Sequence, residues 1–76
     1  MTTDTTRDTS TVTYRLRIRG ELDKDFVSSF CPKGTTMVHT GGVTVLDEID
    51  TDQSGIIGLV RHVHNLGCVI LGLERR

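Results

Sequence analysis

The sequence predicts an α+β domain of the ferredoxin-like, split βαβ kind: a four-stranded antiparallel sheet with both helices on one face, the first helix short. Three observations carry this reading. Apolar and polar side chains alternate without a break from Val12 to Arg19. A glycine pair, Gly41 and Gly42, separates two strand-like runs. The segment from Val43 to Leu73 then spells a strand, a capped amphipathic helix and a second strand, with a boundary residue at each junction.

In the first run, Val12, Tyr14, Leu16 and Ile18 fall on one face and Thr13, Arg15, Arg17 and Arg19 on the other, the period of a half-buried strand. Gly20 ends it. Asp23 is placed to cap a short helix carrying Phe26, Val27 and Phe30, and Cys31, Pro32, Lys33 and Gly34 stop that helix, because proline disfavours helical geometry at the residue before it. Strands over 35–40 and 43–49 flank the two glycines, which supply the positive backbone angles of a tight hairpin turn. Asp52 stands where an N-cap belongs, and Gly67 provides the left-handed residue that follows a helix ending near residue 65 or 66. At 100° per residue, Ile56, Leu59, Val60, Val63 and Leu66 share one apolar sector, while Gly58, Arg61 and Asn65 lie opposite. Residues 68–73 form the closing strand.

A chain of 76 residues is at most one domain, and a domain this small hides only about 60% of the surface its unfolded chain exposes. Residues 1–10, threonine- and aspartate-rich, are expected to be a disordered tail, with residues 11–76 forming a single α/β domain. Domains of this size usually add disulfides, a metal or a partner subunit to a single core. Two cysteines are too few for a secreted disulfide framework. The N-terminal residues lack the apolar stretch of a signal peptide, and no apolar run approaches the ~20 residues that span a bilayer. A cytoplasmic protein with reduced thiols and no membrane attachment is therefore expected. A net charge of −1 supplies no global field for nucleic acid, and 4% aromatic content leaves few rings for stacking bases.

The segment DQSGIIGLVRHVHNLGCVILGLER resembles the C-terminal half of small standalone actinobacterial proteins of unknown function, whose pattern is close to DQAALHGLLxRIRDLGLxLxSV. The likeness runs through Asp52, Gln53, Gly58, Leu59, Leu66 and Gly67, and YRLRIRGEL resembles their opening strand. His62, His64, Asn65 and Cys68 depart from the pattern. The resemblance implies a small α/β domain in a bacterial cytoplasm and transfers no catalytic residue.

Three histidines and two cysteines raise the question of metal, since imidazole and thiolate are preferred ligands for zinc and copper. On a helix, however, His62 and His64 project about 200° apart and cannot chelate one ion. No metal site and no cofactor are expected. Cys31 with His39 or His64 could form a thiolate–imidazole pair, the minimum for nucleophilic catalysis, if the fold brought them within hydrogen-bond reach. Arg15, Arg17 and Arg19 make a one-sided basic stripe able to bind carboxylate or phosphate bidentately; its competing reading is a solvated face paired with Asp47 or Glu48. The acidic run Asp47, Glu48, Asp50 and Asp52 lacks calcium-loop spacing. Gly58 costs an exposed helix roughly 1 kcal/mol relative to alanine, which points to a neighbour packed against it.

The reading that follows is a non-catalytic accessory domain, acting as a homodimer with Gly58 at an interface, that binds a protein partner or small acidic ligand. Two alternatives stay open. One is a small enzyme using His39, His64 or Cys31 in an interfacial pocket; the other is a nucleic-acid accessory using the arginine stripe, which the low aromatic content disfavours.

Overall fold

The structure is a computed structural model that describes residues 11–76; the expected disordered tail, residues 1–10, lies outside the described residues. Six elements follow one another: β1 (Val12–Arg19), α1 (Lys24–Phe30), β2 (Thr36–Thr40), β3 (Val43–Thr51), α2 (Gln53–Asn65) and β4 (Val69–Arg75). The strands form one antiparallel sheet in the order β2-β3-β1-β4, which is the split βαβ arrangement with β1 in the interior.

Local chemistry accounts for the boundaries. The Asp23 carboxylate accepts from the Phe26 amide at 2.9 Å and the Asp52 carboxylate from the Gly55 amide at 2.8 Å, each satisfying a donor that the first helical turn leaves free. Cys31 closes α1 in extended geometry, as the following proline demands. Gly41 and Gly42 have φ of 58° and 81° and join Thr40 to Val43 in a two-residue turn.

The core is a single cluster. Leu16, Ile18, Leu46 and Ile49 contribute from the sheet, Leu22 and Phe26 from the α1 region, and Ile56, Leu59 and Val63 from α2. Because both helices meet the same side of the sheet, the opposite side is left bare. One polar side chain is buried within the described residues: Thr44 donates its hydroxyl to the Gly20 carbonyl at 2.6 Å and lies 2.8 Å from His39 Nδ1. A carbonyl can only accept, so the threonine proton is committed there and His39 Nδ1 is the donor of the second bond.

Three expectations change. The third strand runs to Thr51 and not Ile49, because an extra residue is absorbed at Asp47–Glu48: Tyr14 pairs with Ile49 while Leu16 pairs with Leu46. Glu48, at φ 56°, is the one non-glycine residue with positive φ among those described. The bulge resets the alternation so that Leu46 and Ile49, three apart in sequence, both point into the core. The closing strand begins at Val69 and continues to Arg75. Leu66, placed by periodicity in the apolar sector, is the C-cap of α2 and 59% exposed, since the core ends one turn before the helix does.

Candidate functional site

The uncovered sheet face carries the arginine stripe, and strand register divides it. At one end Arg15 lies against Asp47, with Nε at 3.1 Å and a terminal nitrogen at 3.0 Å, and reaches Glu74 at 3.9 Å. Arg76 bridges Asp47 at 2.7 Å and Glu48 at 3.3 Å, and Thr13 donates to Asp50 at 2.6 Å. Asp52, the last of the acidic run, caps α2. Each carboxylate of that run thus has a partner within the chain.

The Asp47 carboxyl is held below the ordinary aspartate range, first by the Glu48 peptide N–H at 2.7 Å; desolvation, the next largest influence, opposes this, and the hydrogen bonds from Arg15 and Arg76 add to the lowering. A carboxyl with a depressed folded-state pKa contributes stability that is present above its unfolded value, about 4, and lost as pH falls through the folded value. The urea midpoint of the native chain is therefore expected to exceed that of Asp47→Asn at neutral pH, with the gap closing below about pH 4. A gap unchanged down to pH 2 would show that the ionised carboxylate is not what holds the network.

At the other end the arrangement differs. Among the described residues neither Arg17 nor Arg19 is paired with a carboxylate. Arg19 sits in register between Val43 and Val69, and Arg17 between Val45 and Gly72. Val38 on β2 extends the Val45 row and is 57% exposed, and Val69 is 55% exposed. The Arg17 guanidinium lies flat along β4: a Cβ built at Gly72 would come within 3.0 Å of its terminal nitrogen. Among the described residues the result is two guanidinium groups without a carboxylate partner, set among valines. That arrangement suits a partner offering carboxylates beside apolar side chains.

The remaining candidates lie elsewhere. His39 is on β2, oriented by Thr44; His62 and His64 are exposed in the last turn of α2, and the His62 ring stacks on Phe30 at 4.2 Å. Cys31 is half-buried at the end of α1, where burial pushes its thiol up to about 11, so at neutral pH it is the protonated, weakly nucleophilic form. No hydrogen bond links its sulfur to a histidine among the described residues. Three of the clefts on the described surface are lined without a histidine. No three His, Cys, Asp or Glu side chains among the described residues converge where an ion could be held. Gly58 faces outward on α2 with open space where a Cβ would project. No described helix is long and apolar enough to cross a membrane.

Exposed apolar area at Met37, Val69 or Leu71 is expected from the sequence, depending on register; the structure exposes Val69 and adds Val38, and the alternation of Val43 and Val45 with Thr44 and Leu46 marks the same face. The division of the stripe had no such signal, because the position of Asp47 opposite Arg15 depends on the bulge.

Fold and face together define a small ferredoxin-like α+β domain with one bare, partly cationic sheet surface. Residues 13–74 match the domain of unknown function DUF8691, and the chain belongs to that family. No curated protein and no solved structure matches it.

Proposed function

We propose that this chain is a non-catalytic accessory domain of an actinobacterial cytoplasm that binds an acidic partner on its bare sheet face. Arg17 and Arg19, which pair with no carboxylate among the described residues and lie beside the exposed Val38 and Val69, carry the reading: a guanidinium so placed gains from a carboxylate brought to it, and the valines supply apolar area beside it. Arg15 is already engaged and serves as the boundary of the contact. Nucleic acid fits less well, because Tyr14 lies on the helix side and none of the three aromatic residues is on this face to stack a base. The domain acts as a homodimer through the outer face of α2. Among the described residues nothing lies within 4 Å of where a Cβ on Gly58 would project, and Ile57 beside it is 47% exposed.

Titration of the isotopically labelled protein with a synthetic peptide of alternating glutamate and leucine tests the binding face. Saturable shifts at Arg17, Arg19, Val45 and Val69 are expected, and Arg17→Glu with Arg19→Glu should weaken binding by roughly a hundredfold, as two charge-assisted contacts are lost. Equal affinity of the double variant would remove the proposal. Sedimentation at micromolar concentration is expected to give twice the chain mass; a strictly monomeric particle would refute the dimer.

A further inference from the structure

A second surface, on the helix side, has the opposite character. Between α1 and the α2–β4 junction lies an open groove of about 460 Å³ whose floor includes Leu22, Phe26, Phe30, Leu66 and Cys68. Phe30 and Leu66 are 46% and 59% exposed there. Phe30 is held in place by rings on both sides, Phe26 at 4.9 Å and His62 at 4.2 Å, so the apolar floor is preformed. Glu21, Asp23 and Asp25 form the rim. Among the described residues none of the three is paired with a lysine or arginine, and Lys24 points to a different cleft, with Val27 and Met37.

We infer that this groove receives a basic peptide segment of a partner protein, one with a large apolar side chain flanked by lysine or arginine. The apolar side chain covers the Phe30–Leu66 floor, where burying exposed hydrocarbon is favourable, and the flanking cations meet the three carboxylates of the rim. Charge decides between possible occupants. An acidic segment of the kind that suits Arg17 and Arg19 is repelled here, so the two faces of the domain select partners of opposite sign. Because the groove lies across the sheet from the arginines, this inference stands independently of the binding face proposed above.

The test uses the full chain and a synthetic peptide with one leucine set between lysines and arginines. Saturable shifts at Phe30, Leu66 and Cys68 are expected, with affinity falling as salt is raised. Peptide should also slow alkylation of Cys68, which lines the groove. Glu21→Lys with Asp25→Lys should weaken binding roughly tenfold or more, with circular dichroism checking that the double variant remains folded, since Asp25 lies in the first turn of α1; Asp23 is kept, since it caps α1. Arg17→Glu with Arg19→Glu should leave this binding intact. No saturable shift at about 1 mM peptide, the weak end of specific binding, would overturn the inference. So would equal affinity for a peptide with glutamates in place of the cations, or loss of a wild-type dimer in Leu66→Ser, which would show a second copy in the groove.

Discussion

Leu46→Ala is expected to leave the domain largely unfolded at room temperature. Leu46 is fully buried in the middle of β3, in register with Leu16 on one side and Met37 on the other. Truncating such a leucine costs the transfer of its lost methyl groups and the cavity they leave, together about 2–5 kcal/mol. A single core in a domain below ~70–80 residues supplies only about 3–5 kcal/mol. Relaxation into the cavity is also limited here, because a strand paired on both sides cannot shift without breaking two ladders. Urea denaturation followed by circular dichroism would read the loss directly. A cost below about 1 kcal/mol, well under the usual range, would mean that the core is loosely packed around this position.

The second large effect is a pair of identical substitutions with opposite signs in one helix. Gly55→Ala should destabilise the domain by about 1–3 kcal/mol, the usual range for forcing extra volume into a packed site. A Cβ at Gly55 would collide with Thr51 Oγ1 and stand 3.2 Å from Asp52 Oδ1, the oxygen that caps α2. The clash therefore acts on the helix start itself. Gly58→Ala, three residues on, meets nothing within 4 Å and should stabilise the isolated chain by roughly 0.5–1 kcal/mol, the ordinary advantage of alanine over glycine in a helix. For a domain of this size each kcal/mol moves the melting temperature by about 4–8 °C, so the two variants should separate clearly in a thermal scan. Measured at low concentration, the scan reports the chain alone. Stabilisation by both substitutions would show that Thr51 yields without cost.

These glycines illustrate how far pattern reading extends. Each is a glycine inside α2, where alanine would ordinarily be favoured, yet residue type alone does not distinguish the one that avoids a clash from the one that has room. Thr51 is the deciding neighbour: it directly precedes the N-cap Asp52, and the turn from β3 into α2 brings its hydroxyl against Gly55. The bulge at Glu48 is similarly hidden, since one added residue reverses a period of two and leaves no trace in composition. The histidines were clearer. Helical phase alone separates His62 from His64, and the helix is where its caps place it.

What the sequence determined by itself is whatever depends on short range: the alternation of β1, the caps at Asp23 and Asp52, the Gly41–Gly42 turn, the apolar stripe of α2 and, through them, the order of elements and the α+β class. Each follows from backbone geometry and side-chain period within a few residues. Tertiary structure decided which arginine of the stripe meets a carboxylate among the described residues. Arg15, Arg17 and Arg19 are equivalent in the pattern, and only the register of β3 against β1 brings Asp47 to the first and leaves valines beside the others. The exposed Phe30–Leu66 floor likewise arises from where two helices end relative to one another, because pairing and burial join residues distant in the chain and no local period records them.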